Sequence, residues 1–239
     1  MSFKHKDIDV RDRLIFALDV PDVDSAKALV EELGDSVNFY KIGLELNMAG
    51  GYFELLDWLV AKGKKVFVDL KFFDVPATVA SAVRNLQNRG VTFATIHGNQ
   101  SIMEAAAEAK GDVKILAVTV LTSLDRGDLD DLGFDVDVKD LVLSRARRSL
   151  ESGCDGVISS GLELPGLRGN IDDKLMVITP GIRPVDNRAD DDQKRVVTPA
   201  KAFEDGADYI VVGRPIRNAE DPKAAAEAIQ AEIAGVFGS

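Results

Sequence analysis

The sequence has few residues of the kinds that bind metals, form disulfides or hold nucleic acids. Its 239 residues include one cysteine, Cys154, and two histidines, His5 and His97, so an internal disulfide and a His/Cys zinc site are both excluded. Basic residues are outnumbered by acidic ones: the chain has 29 lysines and arginines and 40 aspartates and glutamates, which gives a net charge of −11. A surface of that sign disfavours nucleic acids and anionic membranes. An anionic substrate would therefore have to be held by a few local basic residues.

Long apolar runs are missing as well. No segment reaches the length that spans a membrane, and the opening residues MSFKHKDIDVRDR lack the apolar stretch of a signal peptide. A single cysteine fits a reducing compartment. These absences predict a cytoplasmic protein that has neither a membrane nor a nucleic acid among its partners.

Short β-branched segments alternate with amphipathic segments along the chain. The apolar segments are nearly continuous, which is typical of parallel strands covered by helices. Strands are expected at residues 14–19, 38–43, 65–70, 92–97, 114–120, 156–159, 175–179 and 209–213. Helices are expected at 22–33, 52–62, 77–89, 101–110 and 138–152, with short ones at 163–169 and 199–206 and a last one that starts at 221.

Eight β/α units in a chain of this length predict an α/β fold of the (β/α)8 TIM barrel type. An open, doubly wound sheet is the alternative, but its first strand is more often followed by a glycine-rich turn than by Asp19-Val20-Pro21. No linker or low-complexity tract divides the chain, so residues 1–239 are expected to form a single barrel domain. Segments 121–136 and 181–198 are long for connecting loops and are expected to bind or cover a ligand.

The segment VFVDLKFFDVP, residues 66–76, places three charged residues in an apolar, β-prone stretch. Asp69 and Lys71 are two residues apart, so on a strand their side chains point to the same side, and Asp74 follows closely. Buried charges cost free energy unless they pair or take part in chemistry. A lone Asp-x-Lys usually lies on a solvated strand face, but the apolar flanks argue against that interpretation here. The cluster therefore indicates an active site in which carboxylates keep a lysine cationic.

Further polar residues follow the other predicted strands, and in a barrel these strand ends share one mouth. Gly213 and Arg214 follow the eighth strand, where this fold commonly binds phosphate. Glycine lets the backbone approach an anion, and arginine offers several hydrogen-bond donors. Arg183, Gln193 and Arg195 in the preceding loop are expected to add donors. The other residues placed at this mouth are Asp19, Lys41, His97, Thr119, Thr122 and Ser123.

The segment DLKFFDVPAT, residues 69–78, resembles the Asp-x-Lys-x-x-Asp-Ile/Val-Pro-x-Thr motif of the orotidine 5′-phosphate decarboxylases. Other elements match that family in the same order and together cover essentially the whole chain: ALD at 17–19, KIG at 41–43, LTS at 121–123, TPGIR at 179–183, DQKRV at 192–196 and YIVVGRPI at 209–216. The chain departs from the family pattern at Gly98-Asn99-Gln100, where small residues and glycines are expected after the histidine. His97 itself is more often a structural residue than a catalyst in such a position.

The resemblance implies decarboxylation of orotidine 5′-monophosphate to UMP in pyrimidine biosynthesis, without a metal or organic cofactor. Lys71 is then expected to stabilise a ring carbanion and to protonate it. Asp69 and Asp74 would keep this lysine charged, with Asp69 close to the substrate carboxylate.

The resemblance also assigns residues to the parts of the substrate. Asp19 and Lys41 would hold the ribose hydroxyls, with Lys41 joining the catalytic charges, and Thr122 would contact the pyrimidine. The residues implied for the phosphate are Arg183, Gln193, Gly213 and Arg214. A homodimer is expected, because in this family the residues matching Asp74, Val75 and Thr78 reach into the neighbouring subunit's site.

Two other functions stay open. Sister enzymes that act on sugar phosphates with Mg²⁺, such as 3-keto-gulonate-phosphate decarboxylase and hexulose-phosphate synthase, share a similar motif but use a glutamate ligand where this chain has Lys41. A cation cannot bind Mg²⁺, which requires oxygen ligands. A non-catalytic sensor of nucleotide phosphates would keep Gly213, Arg214 and Gln193, but it would have no need for a buried Asp/Lys/Asp array.

Overall fold

Eight parallel strands close into a barrel in which each strand pairs with its neighbours in chain order and the eighth pairs with the first. The computed structural model describes residues 3–184 and 196–238. The strands are β1 (Leu14–Ala17), β2 (Phe39–Gly43), β3 (Lys65–Phe72), β4 (Val91–His97), β5 (Lys114–Val118), β6 (Gly156–Ile158), β7 (Met176–Thr179) and β8 (Tyr209–Val212). The predicted (β/α)8 barrel is confirmed, and the open sheet is excluded by this closure.

Helices follow the strands and cover the outside of the barrel. They are α1 (Val23–Leu33), α2 (Leu44–Ala49), α3 (Tyr52–Ala61), α4 (Pro76–Arg84), α5 (Gln100–Ala109), α6 (Arg126–Asp131), α7 (Val138–Glu151), α8 (Leu164–Asn170), α9 (Pro199–Glu204), α10 (Arg214–Arg217) and α11 (Pro222–Phe237). Among the residues described, none of these helices has the length and apolar character needed to cross a membrane.

Three short helices fall where the sequence predicted none, namely α2, α6 and α10. Helix α6 lies within segment 121–136, which was expected to be a loop. It begins with a capping box, in which the Asp125 side chain accepts from the Asp128 backbone N–H and the Asp128 side chain accepts from the Asp125 N–H. Only Leu129 of this helix is buried, so it shows too little apolar periodicity to be recognised in the sequence.

The inside of the barrel is filled with apolar side chains that point inward from the strands. Aromatic rings from three strands meet there, with the ring centroids of Phe93 and Tyr209 5.2 Å apart and those of Phe39 and Phe93 also 5.2 Å apart. Because these side chains fill the barrel interior, a ligand site can form only above them, at the carboxyl ends of the strands.

Strand β3 leaves regular geometry where it carries its charges. Lys71 has a φ of +48°, which is uncommon for a residue with a side chain, and the pairing of β3 with β4 shifts register between Val68 and Phe72. The strand still continues to Phe72, two residues beyond its predicted end. Asp69 and Lys71 therefore both belong to the strand.

Candidate active site

A cavity of about 590 Å³ opens at the carboxyl ends of the strands. Its apolar wall comes from the barrel interior and includes Ala17, Phe67, Val118, Ile158 and Val211. Charged and polar side chains of both signs complete it: Asp19, Lys41, Glu45, Asp69, Lys71, Thr122, Ser123, Arg183, Arg214 and Arg217. A cavity with a few convergent polar groups suits a small, polar, anionic ligand.

Asp69 is the centre of four charged residues that we call the mouth array: Asp19, Lys41, Asp69 and Lys71. Its Oδ1 accepts a hydrogen bond from Lys71 Nζ at 2.9 Å, and its Oδ2 lies 3.3 Å from Lys41 Nζ. Burial by itself raises the pKa of Asp69, but the two ammonium groups and the hydrogen bonds from Lys71 and Thr95 outweigh burial and hold that pKa below its usual value. Asp69 is therefore an anion at neutral pH.

Lys41 is buried between two carboxylates, since its Nζ donates to Asp19 Oδ1 at 3.0 Å and also lies beside Asp69. Burial by itself lowers the pKa of Lys41, but the charges of Asp69 and Asp19 outweigh it and raise the pKa above its usual value. Gly43 makes room for this arrangement. A Cβ at that position would lie 3.3 Å from Lys41 Nζ and 3.4 Å from Asp19 Oδ1.

Lys71 reaches the cavity from a backbone that is held by a neighbouring strand. Its side chain is 30% exposed, so the ammonium remains accessible to a ligand. Its backbone N–H donates to Thr95 Oγ1 at 3.0 Å, and the Thr95 hydroxyl donates to Asp69 Oδ1 at 2.8 Å. Thr95 was not predicted from the sequence, although a polar residue inside the apolar run FATIH, two positions before His97, was an available signal.

Asp74, Val75 and Thr78 lie apart from this cavity. They are exposed at the start of α4, and among the residues described none of the three belongs to the cavity wall. The Asp74 carboxylate accepts from the Val75 backbone N–H at 2.6 Å. Within one chain, the structure therefore brings Lys71 to Asp69 and not to Asp74.

The part of the cavity wall that follows β7 and β8 carries three arginines, Arg183, Arg214 and Arg217. Gly213 precedes α10, and Arg214 is the first residue of that helix. Arg217 was missed by the sequence analysis, although its position one helical turn after Arg214 could have indicated it. Its guanidinium donates to the backbone carbonyl of Asp19 and so connects this side to the mouth array.

The remaining predicted site residues are placed as follows. Thr122 and Ser123 line the cavity, as expected, and Glu45 is a further lining residue that the sequence analysis did not identify. Gln193 and Arg195 lie outside the described residues. His97 is half-buried with its ring centroid 4.4 Å from that of Phe73, and burial, Arg145 and Lys71 hold its pKa below its usual value. A neutral, ring-packed His97 fits the structural role expected for it.

Comparisons with known proteins give a consistent result. Residues 12–229 match the family model described as the orotidine 5′-phosphate decarboxylase / HUMPS family. Over 233 residues the chain is 69% identical to the orotidine 5′-phosphate decarboxylase of Methylococcus capsulatus, covering 98% of this chain and 96% of that protein. It is 55% identical over 226 residues to the enzyme of the same name from Rhodopseudomonas palustris strain HaA2, covering 94% of this chain and 95% of the relative.

A similar result comes from solved structures. The crystal structure of orotidine 5′-phosphate decarboxylase from Lactobacillus acidophilus superposes with a TM-score of 0.82 at 37% identity. The superposition covers 93% of this chain and 99% of that one, so the likeness extends over the whole barrel.

Proposed function

The chain belongs to the orotidine 5′-phosphate decarboxylase / HUMPS family, and from that premise we propose that it decarboxylates orotidine 5′-monophosphate to UMP and CO₂. The observation that carries the proposal is the mouth array, in which Lys41 and Asp69 are buried and Lys71 is partly exposed. Lys71 presents an accessible ammonium to the cavity while Asp69 holds it at 2.9 Å. A buried acid–base pair of this kind is costly to maintain and suits a site that performs chemistry.

The proposed reaction breaks the bond between the pyrimidine ring carbon and its carboxylate carbon. CO₂ leaves and the electron pair stays on the ring carbon. The Lys71 ammonium stabilises this developing charge and transfers a proton from Nζ to the carbon, which gives UMP. The neutral amine then takes up a proton from water, and the adjacent Asp69 carboxylate favours this recharging.

The cavity supports the substrate contacts implied by the sequence. Asp19 and Lys41 line the cavity together with Lys71 and would hold the ribose hydroxyls, and Thr122, which also lines it, would contact the pyrimidine. Arg183, Gly213 and Arg214 would hold the phosphate, with Gln193 retained as a predicted contact. In this arrangement the phosphate occupies the arginine-rich side and the reacting carbon faces the mouth array.

Lys41 favours this activity over the Mg²⁺-dependent chemistry of the sister enzymes. Its ammonium occupies the space between the Asp19 and Asp69 carboxylates, 3.0 Å and 3.3 Å away. A divalent cation there would meet a positive charge where it needs an oxygen ligand. We therefore propose that the reaction needs no metal or organic cofactor.

A homodimer with shared sites is part of the proposal. Phe73 and Val75 are 64% and 62% exposed beside Asp74, and apolar side chains so open to solvent next to a site are suited to burial by a second copy. Asp74, Val75 and Thr78 would then reach the partner's cavity. The reducing compartment indicated by the single cysteine makes the cytoplasm the proposed location.

The test is turnover of orotidine 5′-monophosphate, followed by the change in ultraviolet absorbance, with and without EDTA. The wild-type chain should convert the substrate equally in both cases. Binding of UMP without turnover would indicate a sensor instead. Turnover of a sugar phosphate that EDTA stops and Mg²⁺ restores would indicate the sister enzymes.

A further inference from the structure

Thr95 joins the two halves of the acid–base pair through one hydroxyl group. It is fully buried in β4, its Oγ1 accepts the Lys71 backbone N–H at 3.0 Å, and its O–H donates to Asp69 Oδ1 at 2.8 Å. We propose that Thr95 is a positioning residue for Lys71 and Asp69, an inference that rests on the proposed decarboxylation. Thr95 lies behind the described wall of the cavity, so it acts through these two residues rather than on the substrate.

The backbone of Lys71 explains why such a residue is needed. With φ at +48° and the register shifted between Val68 and Phe72, the Lys71 N–H leaves the regular ladder between β3 and β4. A buried N–H without an acceptor is unfavourable, and a left-handed conformation persists only where its surroundings hold it. The Thr95 hydroxyl supplies the missing acceptor from the neighbouring strand.

The same hydroxyl fixes the carboxylate. Because its single proton is directed to Asp69 Oδ1, its lone pairs remain available to the Lys71 N–H, so the two bonds support each other. Oδ1 is also the oxygen that accepts from Lys71 Nζ. The hydroxyl therefore holds the backbone of Lys71 and also orients Asp69 Oδ1, the oxygen to which the Lys71 ammonium is bonded. Threonine is stiff at χ1, which keeps this oxygen in place.

The variants that test this role are Thr95→Val, which keeps the shape and removes the hydroxyl, and Thr95→Ser, which keeps the hydroxyl. Ser36→Ala is the matched control. Ser36 is also buried and its hydroxyl also donates to a carboxylate, that of Glu227 at 3.1 Å, but it lies before β2 at the amino ends of the strands and does not touch the mouth array. Both Thr95→Val and Ser36→Ala thus lose one hydroxyl bond to a carboxylate, and they differ in what that bond holds.

Thr95→Val should lower kcat for orotidine 5′-monophosphate by ~10- to 100-fold, as expected for a hydrogen bond to a charged group, while KM changes by less than ~3-fold. Thr95→Ser and Ser36→Ala should stay within ~3-fold of wild type in kcat. A second readout does not need turnover: hydrogen exchange of the Lys71 amide should be at least ~10-fold faster in Thr95→Val alone.

The outcomes separate this inference from the function on which it rests. A wild-type chain without turnover refutes the proposed function, while amide exchange still reports whether Thr95 holds Lys71. Unchanged exchange in Thr95→Val refutes the hydroxyl contact. Faster exchange with unchanged kcat, or an equal loss of kcat in Ser36→Ala, refutes the positioning role.

Discussion

Two groups of charges lie at opposite ends of this barrel, and they are built differently. The base cluster, which consists of Lys6, Arg13, Arg168 and Asp208, lies at the amino ends of the strands. Asp208 Oδ2 accepts from Arg168 at 2.8 Å, from Lys6 at 3.0 Å and from the Val177 backbone N–H at 2.8 Å. The side chains of Arg168 and Asp208 are only 7% and 3% exposed.

In the base cluster, the charged groups bond chiefly to one another and to backbone groups of the protein. Arg168 also donates to the carbonyls of Gly206 and Leu175, and the Arg13 guanidinium lies 3.9 Å from the Phe237 ring centroid. In the mouth array, by contrast, the Lys71 and Asp19 side chains are 30% and 40% exposed toward the cavity. The base cluster, centred on the buried Asp208, ties distant segments together, whereas the partly exposed mouth array is available to a ligand. Changes at the mouth should cost activity, and changes at the base should cost stability.

The sharpest test at the mouth is Lys71→Ala. Turnover should fall by at least ~10³-fold, because both the stabilising charge and the proton donor are removed. The free energy of unfolding should change little, since the apolar core inside the barrel does not depend on this side chain. Ultraviolet assays and urea unfolding measure the two effects, and a folded variant with near-normal turnover would contradict the mechanism.

At the base, Asp208→Asn should show the opposite pattern. Removing one partner of a buried ion pair leaves Arg168 and Lys6 uncompensated, so we expect a loss of ~3 kcal/mol in the free energy of unfolding. The folded protein should keep kcat near the wild-type value, because this cluster is at the far end of the barrel from the cavity. A large fall in kcat in the folded variant would contradict the assignment of stability to the base cluster and of activity to the mouth array.

The phosphate side can be tested with Arg214→Ala. Binding energy from a remote phosphate orders the site for chemistry, so kcat/KM should fall by ~10- to 100-fold although Arg214 does not touch the reacting carbon. The preference of the enzyme for orotidine 5′-monophosphate over orotidine should shrink in parallel. Lys223→Ala, which removes an exposed charge on α11, is the control and should leave both quantities unchanged.

A mixing experiment tests the shared site. Lys71→Ala and Asp74→Ala homodimers should each be nearly inactive, and subunit exchange should restore roughly a quarter of wild-type activity, since half of the dimers are mixed and each has one intact site of two. Exchange is shown by mass spectrometry of differently tagged chains. If exchange occurs and no activity returns, Asp74 does not serve the partner's Lys71.

The smallest expected effect is on the pH dependence of stability. The folded-state pKa of Asp69 is lowered, so its stabilising contribution is present above the unfolded pKa and is lost as pH falls through the folded pKa, below about pH 4. The pKa of Lys41 is raised, so its contribution is fully present below its unfolded pKa and lost only at strongly alkaline pH. Urea unfolding between pH 7 and 3 should show wild type losing stability relative to Asp69→Asn as the pH falls. If the difference in the free energy of unfolding between the two proteins did not change with pH, the Asp69 charge would not contribute to stability.

Much of the fold and part of the site follow from local sequence. Continuous apolar segments at regular spacing specify parallel strands under helices, and the two-residue spacing of Asp69 and Lys71 puts both on one side of β3. The position of Gly213 and Arg214 after the last strand likewise places them at the mouth. Helix α6 was not predictable in this way, because one buried residue gives no periodicity.

The tertiary structure decided which of these residues meet. The contacts of Lys41 with Asp19 and Asp69, and of Thr95 with Asp69 and Lys71, join residues 22 to 28 positions apart. Such distances depend on strand register and on closure of the barrel, which no single segment encodes. The positive φ of Lys71 and the separation of Asp74 from it depend equally on packing. The sequence by itself thus determined most of the elements and the kind of chemistry. The closed barrel determined the geometry, because hydrogen bonds and charge contacts require alignment to within a fraction of an ångström.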